Sequence, residues 1–328
     1  MSSPYANHPA VVSYRRGLIL SPMAGITDKH YRIICREQGA EVTFTEMVSS
    51  EGLYYGSEKT RRFLSAGEKD APFGVQLFGT RPEAMARAAE IVQETSAPDM
   101  IDVNMGCPVP KITKSGAGCA MMKNPANVRD VLRALRKVVN RPLTIKMRAG
   151  WSDGNISALD VLKIAEDEGV DAATIHTRTR EQYFTGEANW DLYWDLREKT
   201  SIPLVANGDV KGAASYLAKT ARDRSIGVMV ARAAIGNPFV FAELRAARDG
   251  TPYTPASDAD RARAIWRQAR DTGADEHEGA LRRLRKIFLA YGHHFENGKS
   301  LKVALATVST LHELRELLLP YAPDLDDA

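Results

Sequence analysis

The chain has 328 residues, 44% hydrophobic and 26% charged, with a formal net charge of +3, which is the composition of an ordinary soluble globular protein and not of a disordered or fibrous one. No apolar run approaches the roughly 18 residues of a membrane span, and Met1 to Arg16 lacks the apolar core of a signal peptide. Cys35, Cys107 and Cys119 are too scattered for a disulfide framework and form no Cys-x-x-Cys pair, so a reduced, cytoplasmic setting is expected.

After an irregular opening, Leu18-Ile19-Leu20 reads as a short strand ending in Ser21-Pro22-Met23-Ala24-Gly25-Ile26-Thr27-Asp28. Asp28 suits the cap of a helix through Cys35 to Gln38, closed by Gly39. Val42-Thr43-Phe44-Thr45 is the second strand, followed by Glu46-Met47-Val48 and a loop rich in Ser, Gly and Tyr. Phe73 to Phe78 is the third, after which Thr80 suits a cap and Pro82 the first turn of a helix to about Glu94. The fourth, Met100-Ile101-Asp102-Val103, delivers Asn104-Met105-Gly106-Cys107-Pro108, and a helix from Pro125 to Val138 follows. In that loop, two prolines bar regular structure directly after the cysteine.

Leu143 to Arg148 is the fifth strand, with a helix from about Ser157 to Glu168. Ala172 to His176 is the sixth, before a helix over Asp191 to Lys199. Pro203 to Ala206 is the seventh, ending in Asn207-Gly208-Asp209, and Gly227 to Val230 is the eighth, ending in Ala231-Arg232. Eight apolar strands alternating with helix-length segments predict a parallel sheet with crossover helices, and eight such units close into a (β/α)₈ TIM barrel of the α/β class.

Beyond Gly250, Thr251-Pro252-Tyr253-Thr254-Pro255 reads as a linker. Helical apolar spacing then appears at about 258–272, 278–295 and 300–319, so a barrel over 1–250 is expected to carry a small all-helical C-terminal domain over 251–328. Between Arg261 and Lys302 there are ten Lys/Arg against five Asp/Glu, with Arg282, Arg283, Arg285 and Lys286 packed together. Such a face is either a solvated surface or an RNA footprint.

Reactive groups in a barrel of this type come from the carboxyl ends of the strands, which converge on one mouth. Nearly every strand end here brings a polar or special residue: Pro22 and Met23, Gln76, Asn104 and Cys107, Lys146 and Arg148, His176, Asn207-Gly208-Asp209, and Arg232. Singly, each has a packing explanation; their coincidence points to a site. Gly208 and the Ala231-Arg232 turn occupy the usual barrel phosphate position, which implies a phosphate-bearing cofactor. Lys146, Gln76 and His176 can then hydrogen-bond a flat heteroaromatic ring, and Met23 can lie against its plane; a buried ammonium favours the anion of a reduced flavin. No metal-ligand spacing is present, and no Gly-x-Gly-x-x-Gly turn marks a resident nicotinamide dinucleotide.

The series Pro22-Met23-Ala24-Gly25-Ile26-Thr27-Asp28, Gln76-Leu77-Phe78-Gly79, Asp102-Val103-Asn104-Met105-Gly106-Cys107-Pro108, Lys111-Ile112, Lys146-Met147-Arg148, His176-Thr177-Arg178-Thr179, Asn207-Gly208-Asp209 and Gly236-Asn237-Pro238 resembles that of the tRNA-dihydrouridine synthases. The resemblance implies an FMN enzyme that uses NADPH to reduce a uridine of tRNA to 5,6-dihydrouridine. By that carry-over FMN is held by Pro22, Met23, Ala24, Gln76, Lys146, His176, Asn207, Gly208, Asp209, Ala231 and Arg232. Cys107 becomes the proton donor, with Asn104 beside the uracil. Lys111, Lys114, Arg178 and Arg180 are expected to meet phosphates near the mouth, and Arg282, Arg283, Arg285 and Lys286 to grip the tRNA further out. The chain departs from the pattern at Ala231 and Ala233, where glycine is expected.

Hydride addition at C6 of uracil leaves an enolate that an acid must protonate at C5, so Cys107 is expected to be a thiol rather than a thiolate. Rival readings are an FMN barrel acting on a small pyrimidine, resembling the dihydroorotate and dihydropyrimidine dehydrogenases; a tRNA-binding protein without catalysis; and a flavin-free lyase or isomerase with Lys146 as Schiff-base nucleophile. The expected unit is a monomer without a metal.

Overall fold

A computed structural model describes residues 4–275, 280–296 and 298–326. Eight parallel strands form the centre: β1 (Leu18–Leu20), β2 (Thr43–Phe44), β3 (Phe73–Phe78), β4 (Met100–Met105), β5 (Leu143–Arg148), β6 (Ala172–His176), β7 (Leu204–Asn207) and β8 (Val228–Val230). Each pairs with its neighbour in sequence, β8 pairs back onto β1, and a parallel bridge from Ile19 to Val42 joins β1 to the start of β2. The expected TIM barrel is the observed architecture, with strand spans within two residues of expectation.

Alternation along the strands sorts the side chains. Val75, Leu77, Ile101, Val103, Ile145, Met147 and Ile175 point outward into one large apolar core under the crossover helices. Inside, the lower layer is apolar, built from Ile19, Phe44, Met100, Ala172, Val205 and Met229, while the upper layers are polar. Registers align Gln76 with Asp102 and Asp102 with Thr144, then Asn104 with Lys146, and Arg148 with His176. A packed floor beneath a polar mouth is the outcome.

The N-terminal opening is helical, not irregular: α1 (Pro9–Arg16) starts on Pro9, with His8 capping it. Its buried face, Ala10, Val11 and Tyr14, plugs the lower end of the barrel, where the Tyr14 hydroxyl meets Thr174 Oγ1. The helix after β1, α2 (Lys29–Glu37), is capped by Asp28, which accepts from the Tyr31 N–H at 2.8 Å, and Gly39 follows it at φ 105°. The loop expected after β2 instead contains a strand fragment, Val48–Ser49, and two short helices, Ser50–Tyr54 and Glu58–Arg61, started by Ser49 and Ser57. Thr80 does not cap the next helix, α3 (Pro82–Thr95); Arg81 holds the cap position and Thr80 offers its carbonyl to Asn127 Nδ2 at 2.8 Å.

Crossovers α4 (Pro125–Val138), α5 (Ala158–Asp167), α6 (Trp190–Lys199) and α7 (Ala213–Lys219) complete the ring, and α8 (Val240–Asp249) ends on left-handed Gly250. A small hairpin, Gly150–Ser152 with Asn155–Ile156, rises after β5. Among the described residues four helices follow the linker: α9 (Asp258–Asp275), α10 (Ala280–Tyr291), α11 (Lys299–Leu305) and α12 (Leu311–Leu318). The expected start of α10 at Glu278 lies outside the described residues. The single helix expected over 300–319 is two, because Thr310 and Glu313 form a reciprocal capping box that starts α12 afresh. These helices dock on α2 through Gln268 to Asp28 (3.2 Å), the Arg267–Glu37 ion pair and an edge-on contact of Tyr31 with Tyr291. Gly236 permits this docking: at φ 65° a Cβ there would sit 2.3 Å from the Tyr291 nitrogen.

Candidate active site

A cavity of about 720 Å³ opens at the carboxyl ends of the strands. Its wall contains Pro22, Met23, Ala24, Gln76, Lys146, His176, Asn207, Gly208, Asp209, Ala231 and Arg232, every residue expected around the cofactor, together with Asn104 and Cys107. Lys286 reaches it from α10 and His294 from the turn after that helix. A second cavity, of about 520 Å³, lies between α7, α8 and the linker and holds none of these groups.

The floor of the mouth is a hydrogen-bonded chain. Asp102 accepts from Thr144 Oγ1 and from Gln76 Nε2, both at 2.7 Å. Gln76 Oε1 accepts from Asn104 Nδ2 at 2.7 Å, and Asn104 Oδ1 accepts the N–H groups of Gly106 and Cys107 at 3.1 and 3.0 Å. Burial lifts the Asp102 carboxyl to about 6, against the pull of its two hydrogen bonds and of Lys146. Burial and the neighbouring Arg148 lower Lys146 to about 8.

Cys107 is half-buried on the loop after β4. Desolvation raises its thiol above the ordinary cysteine value, more than the Val109 N–H, Lys146 and Arg148 lower it, so the group is a neutral S–H at pH 7. Its carbonyl accepts from the Cys119 N–H at 3.0 Å, which folds the loop back on itself. Arg148, buried, ties the same loop down by donating from Nε to the Gly106 carbonyl at 3.0 Å and from Nη1 to those of Thr179 and Tyr183.

On the opposite wall, burial and then Arg148, Lys146, Arg178 and Arg232 push His176 well below the usual imidazole range, leaving it neutral. Arg178 Nη1 stands 3.3 Å from His176 Nε2. A guanidinium has no acceptor, so Nε2 accepts and the proton resides on Nδ1. Gly208 takes φ 132°, where a Cβ would lie 2.6 Å from that of Ala188, and Asn207 Nδ2 donates to the Met229 carbonyl at 2.7 Å.

Of the arginines expected on RNA phosphates, Arg178 is turned inward and half-buried Arg285 is tied to backbone carbonyls. Arg178 is 1% exposed and all three of its nitrogens are bonded, to Thr185 O, Gly186 O and both oxygens of Asp209. It organises the mouth and does not face solvent. Arg285 spends Nε and Nη2 on the carbonyls of Thr307 and Val308, filling the break between α11 and α12. Lys111, Lys114, Arg282, Arg283 and Lys286 are exposed, and half-buried Arg180 stacks on Trp151 at 4.8 Å.

The sequence does not single out Asp102 or Phe184 as site residues, and it places Arg148 at the mouth without giving it a role. Asp102 carried a signal, a carboxylate in the middle of an apolar strand, and Arg148 another, a charge at a strand end. Phe184 carried none, since only the folded β6–α6 loop brings its ring to His176 (6.4 Å, nearly parallel) and under Arg148 and Arg232.

The sequence model of a family described as dihydrouridine synthase matches residues 19–324. A probable tRNA-dihydrouridine synthase of Treponema pallidum is 35% identical over 309 residues, 89% of this chain and 90% of its own length. The tRNA-dihydrouridine synthase B of Pseudomonas syringae pv. tomato is 40% identical over 74% of this chain and 69% of its own. Among solved structures, a 2-naphthoyl-CoA reductase complex (TM-score 0.53, 12% identity, 72% of this chain and 50% of that one) and histamine dehydrogenase from Rhizobium sp. 4-9 (0.50, 14%, 77% and 48%) share the barrel fold. Family match and relatives agree over nearly the whole length: the chain belongs to the dihydrouridine synthase family.

Proposed function

We propose that this protein is a tRNA-dihydrouridine synthase, an oxidoreductase that reduces the C5=C6 bond of particular tRNA uridines with electrons from NADPH carried through bound FMN. The observation that carries this reading is a neutral thiol, Cys107, on a braced loop at the rim of a polar, cation-rich barrel mouth.

The mouth suits FMN in shape and in charge. Its volume of about 720 Å³ falls in the range of small-molecule and cofactor sites. Burial and then four cations, Arg148, Lys146, Arg178 and Arg232, depress the His176 pKa, and those cations favour a bound anion. Gly208, Asp209, Ala231 and Arg232 are proposed around the phosphate, with Asn207 beside them. Gln76, Lys146 and His176 Nδ1 are proposed on the polar edge of the ring, and Pro22, Met23 and Ala24 against its body. When bound, FMN supplies hydride for C6 of the uracil.

The chain's own residues then do the rest. Cys107 gives its Sγ proton to C5 on the other face, and Lys146 and Arg148 stabilise the thiolate left behind. Asn104, in the cavity wall, is proposed beside the uracil, and its Oδ1 holds the loop that carries the thiol. The uracil is turned out of the tRNA to enter. Lys111, Lys114, Arg180, Arg282, Arg283 and Lys286 are proposed to meet the phosphate backbone, with residues 251–328 acting as a tRNA-binding domain. Lys286 supports that division, because it stands in the cavity wall although it belongs to α10. The working unit is proposed to be a cytoplasmic monomer.

Purified protein incubated with unmodified tRNA and NADPH is expected to be yellow, to release FMN on denaturation and to form dihydrouridine. A colourless protein, or turnover of free pyrimidines but not of tRNA, contradicts this reading. Mapping dihydrouridine in tRNA from a deletion strain identifies the position.

A further inference from the structure

Asp102 takes no part in the chemistry above, yet it is 1% exposed directly beneath the mouth. An ionised carboxylate only accepts hydrogen bonds. Gln76 must therefore present its NH₂ to Asp102, which it does at 2.7 Å. That turns Gln76 Oε1 toward Asn104, which must answer with its own NH₂, again at 2.7 Å. The flip of Asn104 is thereby settled too, and its Oδ1 faces the Gly106 and Cys107 N–H groups. The acceptor-only carboxylate at one end and the donor-only N–H groups of Gly106 and Cys107 at the other agree on the direction of every bond between them. Thr144 Oγ1 anchors the other carboxylate oxygen from β5. Lys146 above and Tyr14 below are the titratable groups that act on it.

We propose that Asp102 is a positioning residue that fixes, through the amides of Gln76 and Asn104, the placement of the Cys107 loop. Gln76 is also proposed on the cofactor edge, so the same carboxylate ties proton donor and cofactor wall into one rigid unit. The second clause rests on the proposed function; the link from Asp102 to Cys107 does not.

The test is a double-mutant cycle on the holoprotein, read as the rate of iodoacetamide labelling at Cys107 by peptide mass spectrometry. Asp102→Asn, which removes the charge and lets either end face Gln76, is expected to change that rate about three- to tenfold, and Asn104→Ala by at least as much. The double variant is expected to match the larger single change, because both cut one chain. Wild-type labelling in Asp102→Asn, or effects that multiply in the double variant, overturns the proposal. Should Asp102→Asn fail to accumulate, Thr144→Val loosens the same carboxylate from outside the cavity and is expected to shift labelling in the same direction; no shift overturns it equally. Dihydrouridine formation by Asp102→Asn is expected to fall in kcat with KM for tRNA unchanged. Absence of activity in the wild type would instead sink the proposed function and leave the labelling result standing.

Discussion

Arg178 grips Asp209 with two parallel bonds, Nη1 to Oδ1 at 2.9 Å and Nη2 to Oδ2 at 2.6 Å, while Asp209 sits in left-handed backbone at φ 54°. A residue with a side chain pays a steric cost in that region, so the pair, with the Ala188 N–H and Arg232 on the same carboxylate, holds the turn after β7 in shape. Arg178→Ala leaves a largely buried carboxylate without its main partner. A loss of about 3–5 kcal/mol is expected in denaturant unfolding, with less flavin retained per chain. Arg178→Lys, a point charge in place of a fork, is expected to restore only part of either.

Asp102 should show a conflict between stability and activity. Its folded pKa of about 6 lies above the ordinary 3.8. A raised carboxyl pKa means that the folded chain binds more protons between those values, so the cost of the buried charge is complete above pH 6 and absent below pH 4. Neutral Asp102→Asn is therefore expected to melt roughly 2–5 °C above wild type in cofactor-free protein at pH 7.5. The gap should close as pH falls from 6 toward 4, followed by calorimetry across that range.

Gly118 lies where the Cys107 loop crosses itself. At φ 61°, an added Cβ would stand 2.7 Å from the Cys107 carbonyl oxygen and 3.2 Å from its Cβ. Gly118→Ala is expected to cost about 1–3 kcal/mol in thermal or denaturant unfolding and to slow dihydrouridine formation by displacing the thiol. A glycine-to-alanine change elsewhere on the surface, such as Gly154, where nothing lies within 4 Å, serves as the silent control.

The rim lysines give an electrostatic prediction. Lys111 and Lys114 are exposed beside the mouth, so replacing either with Gln is expected to weaken tRNA binding for every tRNA alike and to lower the slope of log K against log salt by about 1. Cofactor content should not change. Filter binding at several salt concentrations measures it.

How much of this was legible beforehand follows from range. Strands β3, β5 and β6 were readable to the residue because their apolar runs and flanking breakers are local. The convergence of Gln76, Cys107, Lys146, His176 and Arg232 followed from barrel topology alone, since parallel strands deliver their ends to one face. Side-chain direction did not follow. Arg178 and Arg285 look like surface cations in one dimension, and only the fold shows carboxylate and carbonyl acceptors claiming them. α1 was overlooked because eight residues with a single Pro start carry a weak pattern; what holds it is burial of Tyr14 against the barrel floor. Asp102 was visible but unranked, because its importance lies in Gln76 and Asn104, one on the neighbouring strand.

The most direct test of the account is Cys107→Ala, assayed for both half-reactions. Cys107 is proposed as the proton donor and not as part of the cofactor wall, so the variant should stay yellow and its flavin should still be reduced by NADPH. Dihydrouridine formation in tRNA should fall by about 10²–10⁴-fold. Dihydrouridine formed at the wild-type rate by Cys107→Ala would contradict the account.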